Sequence, residues 1–173
     1  MTLDSELWRQ IHRGDGDAFE SFYRENAPRL KAFLQHMVGS PQSAEDLMQE
    51  TFTQLWRQPN GFQPERGSLR AYLYGIARKR AAEWWRTQGL QGQEIEPVKV
   101  TERGERVAVI GDAFRRLPEE QRTLLWLREV EGQSYAELAD ILAIPVGTVR
   151  SRLFAARESL RTIWNSARPK EGV

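Results

Sequence analysis

Two stretches of the 173-residue chain concentrate side chains suited to gripping a polyanion. One is RAYLYGIARKRAAEWWR, residues 70–86, with five basic residues and four large aromatics in seventeen positions. The other is PVGTVRSRLFAARESLR, residues 145–161, where four Arg oppose one Glu for a local charge of +3. Cations neutralise phosphates, arginine forks fit guanine edges, and aromatic rings stack on unpaired bases. A third stretch, SAEDLMQETFTQLWR at 43–57, has the opposite character. Helical spacing there buries Leu47, Met48, Thr51, Phe52 and Leu55 and leaves Asp46, Gln49, Glu50, Thr53 and Arg57 outside. A solvated polar face is the ordinary fate of such residues.

Other chemistry is poorly represented. The chain has 25 Lys+Arg against 24 Asp+Glu, a net charge of +1, so attraction to a polyanion must come from how charge is distributed. There is no Cys, hence no disulfide framework and no thiolate metal site. His12 and His36 stand alone, without metal-ligand spacing, and each reads as a surface or packing residue. No Gly-rich loop opens a helix and no nucleophile pairs with a base, so neither catalytic residues nor a cofactor are expected. The acidic, amphipathic N-terminus is unlike a signal peptide, and no stretch approaches the roughly 18 apolar residues of a membrane span. A soluble cytoplasmic protein is the expectation.

The elements that position these stretches read as all-α. Helices are expected over 4–12, over 18–38 as two helices or one bent at Pro28, and over 44–57 behind a Ser43 cap. The turn-rich QPNGFQPERG at 58–67 precedes a helix from Ser68 or Leu69 to about Thr87. Residues 88–111 lose the helical period and read as a linker, and alternating valines around ERGE are compatible with a small hairpin. Pro118 then suits the first turn of a helix reaching Glu131, which Gly132 ends. SYAE at 134–137 is a capping box for a helix through Ala143, and IPVG turns the chain into a last helix, 146–166, before a frayed tail.

The last two helices have helix-turn-helix proportions. Val146, Val149, Leu153, Ala156 and Leu160 form the stripe to be buried, with Thr148, Ser151, Ala155 and Glu158 outward and Arg150, Arg152 and Phe154 flanking. Arg150 and Arg152 are placed for a phosphate or a guanine edge, and Thr148 lies in the N-terminal turn, where free N–H groups favour phosphate. In the 70–86 helix, Leu69, Ile76, Ala77 and Trp84 gather about Leu73, while Gly75, Arg78, Lys79, Ala82 and Arg86 take the far side. Arg80 falls within the apolar stripe and is expected to snorkel or pair. Arg80 and Glu83 also interrupt the continuous apolar face that a membrane-surface helix needs.

These residues carry a family resemblance. LPEEQRTLLWLREVEGQSYAELADILAIPVGTVRSRLFAARESLR resembles region 4, the C-terminal DNA-binding domain, of the extracytoplasmic-function sigma factors of bacterial RNA polymerase. GDGDAFESFYRENAPRL resembles the entry to their region 2, SAEDLMQETFTQLWR region 2.2, and FQPERGSLRAYLYGIARKRAAEWWR regions 2.3 and 2.4. The resemblance covers about residues 14–88 and 112–165. It implies two small helical domains, region 2 at 1–88 and region 4 at 112–168, joined by a flexible linker at 89–111 and followed by a frayed tail at 169–173. It implies no enzyme but a partner of core RNA polymerase, held on the β′ clamp helices through Asp46, Gln49, Glu50, Thr53 and Arg57, with region 4 toward the β flap. By the same resemblance Phe62, Gly75, Arg78, Lys79, Ala82 and Arg86 face the minus-10 promoter strand, the loop at Phe62 capturing a flipped base. Thr148, Arg150, Ser151, Arg152, Phe154 and Arg157 read the minus-35 duplex, and an anti-sigma factor is the expected inhibitor.

Four positions depart from the residues of other family members. Lys79 replaces a common Asn, which suggests a phosphate contact in place of base-specific hydrogen bonding. Ala155 stands where some relatives carry Arg. Trp84 and Trp85 are unusually large, and the expectation is core for Trp84 and half-exposed packing for Trp85. Two rival readings are a stand-alone duplex-binding regulator using only the helix-turn-helix, and a helical adaptor that binds protein. Both leave at least one of the three stretches without a role.

Overall fold

The computed structural model describes residues 3–58, 60–88 and 111–167, and among these the regular structure is entirely helical. The linker and hairpin readings on 89–110 and the frayed tail lie outside the described residues. Four helices form the N-terminal group: α1 (Leu3–His12), α2 (Gly16–Val38), α3 (Pro41–Arg57) and α4 (Leu69–Gln88). A short helical segment at 111–115 leads to α5 (Glu119–Leu125), α6 (Tyr135–Leu142) and α7 (Val146–Ala167).

Helix ends follow local chemistry. Asp15 caps α2 by accepting from the N–H groups of Asp17 and Ala18, both at 3.1 Å. The helix ends where Gly39 turns left-handed, φ 71°. Between them α2 is continuous: Pro28 sits exposed inside it, so only the N–H that would reach the Arg24 carbonyl is missing. The α3 cap is Ser40, not the expected Ser43. Pro41 takes the first helical position and Ser43 donates its own N–H to Ser40 Oγ at 3.2 Å, so the helix starts three residues earlier.

Helices α2, α3 and α4 pack through Leu30, Phe33 and Leu34, through Leu47, Phe52 and Leu55, and through Leu69, Leu73 and Tyr74, all buried. The predicted inner face of α3 is buried in full, with Ala44 added. In α4, Ala71, Tyr74 and Ala81 join the buried set beyond the expected stripe, and Trp84 is only partly covered. Trp85 is half-buried, its indole N–H donating to the Met37 carbonyl at 2.8 Å. In the C-terminal group Leu124, Leu127, Leu138, Ile141, Val149 and Leu153 close a small core.

Two backbone irregularities shape the C-terminal group. The turn after α5, Trp126–Val130, is a π-helix, so the Glu131 N–H reaches the carbonyl of Trp126, five residues back. Gly132 then ends the helix at φ 67°. Between α6 and α7 the left-handed position is filled by Ala143, φ 54°, where glycine is usual.

The two groups touch. The Thr123 hydroxyl lies 3.2 Å from the sulfur of Met37, and His36 packs on Trp126 with ring centroids 4.3 Å apart and edge-on to Phe114. Ser68 donates to Glu137 at 2.9 Å, and Glu131 pairs with both Arg29 and Arg70.

Candidate nucleic-acid and polymerase surfaces

On α3 the five predicted outer residues, Asp46, Gln49, Glu50, Thr53 and Arg57, are all exposed and share one side of the helix. They are not free of internal ties. The Arg80 guanidinium leaves the apolar stripe of α4 and donates to Glu50 and Gln54, each at 2.9 Å, so it pairs as its position required. Gln49 donates to the Tyr23 hydroxyl at 3.0 Å, and the Thr53 hydroxyl to the Gln49 carbonyl at 2.8 Å. Beside this polar strip lies an aromatic ledge that the sequence reading passed over: Phe19 and Trp56 meet edge-on at 4.8 Å, and Tyr23 tilts against Phe52 at 4.6 Å. Trp56 is 40% exposed. The signal was present, since Gln49, Thr53 and Trp56 follow one another at helical spacing.

A cleft of about 530 Å³ opens between the 58–68 loop, α4 from Ala71 to Glu83, and α6. Gly75 and Lys79 line it from α4, Phe62 and Arg66 from the loop, and Asp140 from α6. A Cβ placed on Gly75 would meet nothing within 4 Å, so α4 presents open space there. Ala82 and Arg86 continue the stripe of Gly75 and Lys79 at helical spacing beyond the cleft, Ala82 half-buried and Arg86 exposed. Arg78 is displaced around the helix and half-buried, where full exposure was expected.

Phe62, expected at the start of the base-capturing loop and facing the promoter strand, is buried. Its ring packs between Trp8, at 5.6 Å, and Tyr72, at 5.8 Å, anchoring the loop to α1 and α4. The loop lies so close to α4 that a Cβ on Gly61 would fall 1.8 Å from the Tyr72 hydroxyl. A side chain at position 61 therefore requires the end of the Tyr72 side chain to shift.

Along α7, Val149, Leu153 and Ala156 are buried as the stripe requires, whereas Val146, in the first turn, is 40% exposed and Leu160 is half-buried. The stripe runs off the core at both ends because α5 and α6 cover only its middle. Arg150 is exposed with its guanidinium 5.8 Å from the Tyr135 ring, and Ser151 is exposed, its hydroxyl donating to the Thr148 carbonyl at 3.0 Å. Thr148 is half-buried and Phe154 is 69% exposed. Arg152 pairs with Glu120, and Arg157 pairs with Glu129 at 2.6 Å; hydrogen bonding to Glu129 raises the already high pKa of Arg157. The local +3 of the sequence is therefore partly countered by carboxylates of α5 and the turn that follows it.

Residues 22–91 match Sigma-70 region 2 and residues 108–160 match Sigma-70 region 4. The chain is 31% identical to the RNA polymerase sigma-H factor of Pseudomonas aeruginosa over 91% of each chain. It is also 30% identical to the ECF RNA polymerase sigma-E factor of Haemophilus influenzae, over 91% of this chain and 93% of that one. The chain is an extracytoplasmic-function sigma factor. In three dimensions this sigma factor superposes on RpoE of Bartonella quintana, solved with the anti-sigma factor NepR, with a TM-score of 0.70 at 28% identity, covering 86% of this chain and 99% of that one. CnrH, solved in complex with the cytosolic domain of CnrY, shares the fold at a TM-score of 0.75 and 21% identity, over 95% and 99% of the two chains. The all-α, two-domain expectation holds, and the protein's function is that of an RNA polymerase sigma factor. Among the described residues no helix is long and apolar enough to cross a membrane.

Proposed function

We propose that this sigma factor acts in the cytoplasm as a non-enzymatic initiation factor through three separate surfaces. The exposed strip Asp46, Gln49, Glu50, Thr53 and Arg57 on α3 docks on the β′ clamp helices of core RNA polymerase, where acidic and amide groups suit a basic partner. The stripe Gly75, Lys79, Ala82 and Arg86 on α4, with Arg78 beside it, holds the unpaired minus-10 strand. Cations there track the backbone and the small residues allow close approach. Phe62 serves this site as the anchor of the 58–68 loop. Arg150, Ser151, Arg152, Phe154 and Arg157 face the major groove of the minus-35 element, with Thr148 at the helix entrance. Region 4 lies toward the β flap, and an anti-sigma factor is the regulatory partner, as NepR is for its relative RpoE.

The domain limits that go with this reading are 1–88 and 112–168, with the 89–111 linker passing through the polymerase toward the RNA exit path. The observation that carries it is the co-existence, in one chain, of an exposed acidic strip on α3 and two exposed cationic helices, α4 and α7. A duplex-binding regulator has no use for the first, and a protein adaptor none for the other two. The test is run-off transcription with core polymerase and a pool of genomic promoters. Discrete transcripts that depend on the added protein support the reading. No transcript from folded, inhibitor-free protein overturns it.

A further inference from the structure

Tyr135, the half-buried first residue of α6, gathers the cations that border α7. The Arg128 guanidinium lies over its ring at 4.7 Å and the Arg150 guanidinium at 5.8 Å, and the Arg157 side chain reaches the same tyrosine. Arg150 and Arg157 leave α7 on one flank, seven positions apart, and Arg128 comes from the π-turn. Arg128 also donates to the Gln133 carbonyl at 2.8 Å, and Arg157 to Glu129. Among the described residues no carboxylate pairs with Arg150, so the ring is what restrains it.

The arginines of α7 are therefore oriented by two different devices. Glu120 and Glu129 hold Arg152 and Arg157, and a carboxylate that orients a guanidinium also neutralises it and occupies its donors. A ring does neither: its quadrupole attracts the cation, the charge is unchanged, and the N–H groups of the fork stay available. Arg128, fixed on Gln133, lies nearer to the ring, and its like charge keeps Arg150 from settling closer. A long side chain loses rotamer freedom when it docks, and one restrained beforehand loses less. Exposed Arg150 combines that restraint with full charge and free donors.

We propose that Tyr135 is a positioning residue for minus-35 recognition, its ring presenting a fully charged Arg150 to a guanine edge in the major groove. This rests on the reading of α7 as the minus-35 helix. A guanidinium delivered with its fork free fits the O6 and N7 acceptors of guanine in bidentate fashion, so the base pair it reads carries guanine.

The test uses holoenzyme reconstituted with core polymerase and a promoter that the parent selects from a genomic pool, each upstream base pair being substituted in turn. Tyr135→Leu and Tyr135→Met remove the ring and keep apolar bulk, and Tyr135→Phe keeps the ring. Whichever of the ringless variants folds should lose discrimination about two- to fivefold at the one guanine pair that Arg150→Ala also relaxes. Tyr135→Phe should retain it, and removal of the ring should add nothing in the Arg150→Ala background. A loss spread evenly over all positions, a loss that adds in full to that of Arg150→Ala, or an equal loss in Tyr135→Phe overturns the proposal. Unchanged discrimination in a folded ringless variant, beside a relaxed Arg150→Ala, overturns it alone. Unchanged discrimination in Arg150→Ala itself rejects the minus-35 reading of that arginine, and the proposal with it.

Discussion

Ser68 and Glu137, 69 residues apart, join the starts of two helices. The Ser68 hydroxyl accepts from the Ala71 N–H at 3.0 Å, capping α4, and donates its own proton to Glu137 Oε2 at 2.9 Å. Glu137 Oε1 meanwhile closes the capping box of α6 on the Ser134 N–H at 3.4 Å. One carboxylate thus serves an N-terminus within its own domain and holds the cap of a helix in the other. Glu137→Ala should lower stability by about 1–2 kcal/mol, the worth of a cap with one further hydrogen bond, whereas Ser134→Ala should lose only the cap. Chemical denaturation of the two variants checks the difference, and equal losses would deny Glu137 its interdomain part.

The 58–68 loop should be intolerant of one methyl group. Gly61→Ala places a carbon on the Tyr72 hydroxyl, so either the Tyr72 ring leaves Phe62 and Trp8 or the loop lifts from α4, an overpacking cost of up to about 1–3 kcal/mol. Tyr72→Phe removes the obstructing oxygen, so Gly61→Ala in that background should recover part of the loss. Thermal unfolding of the single and double variants measures the coupling.

Substituting Asp46 and Glu50 together by Lys should abolish association with core polymerase while leaving the DNA affinity of the isolated C-terminal domain unchanged. Glu50→Lys also faces Arg80, so the Arg80→Gln background separates local repulsion from loss of docking. Co-purification with core polymerase reads the first effect, and retained association removes α3 from the interface.

The arginines of α7 should differ in kind. Arg152 and Arg157 are held by Glu120 and Glu129, whereas Arg150 is exposed over the Tyr135 ring. Arg150→Ala should cost about 1–3 kcal/mol of minus-35 binding and relax discrimination at one base pair if it contacts a base, or weaken all sequences alike if it contacts phosphate. Binding to a panel of singly substituted upstream elements distinguishes the two.

His36 makes stability depend on pH. Burial, and then the charges of Arg115 and Arg122, lower its pKa from the usual 6.5. The folded state therefore binds the proton less readily than the unfolded chain. Its contribution is intact above 6.5 and falls as the pH drops through 6.5 toward the lowered folded value. The loss of thermal midpoint between about pH 7.5 and pH 5.5, a window set by the imidazole, should be smaller in His36→Gln than in the parent.

Much of this was legible in the sequence because it depends on local periodicity. The inner face of α3, the capping box at Ser134 and the pairing of Arg80 all follow from residues within one or two turns, or from a charge placed on an apolar stripe. What was missed depends on which helices come to cover a position. Val146 belongs to the stripe of α7 by spacing, yet it stays 40% exposed while Val149, one turn on, is buried. The resemblance set Phe62 at the start of a loop that captures a flipped base, but α1 supplies Trp8 to cover it. The role of Glu131 has no local signature at all, since its partners lie 61 and 102 positions away.

The π-turn at Trp126–Val130 gives that partnership an unusual sensitivity. A wide turn holds one residue more than the α-helical ladder would, and it shifts the phase of everything downstream by about 100°. Glu131 faces Arg29 and Arg70 with that extra residue in place. Many side chains in the segment can be exchanged without moving the carboxylate, but deletion of a single residue would regularise the helix and rotate Glu131 off its partners. Spacing, more than side-chain identity, is what descendants of this chain must keep at the joint.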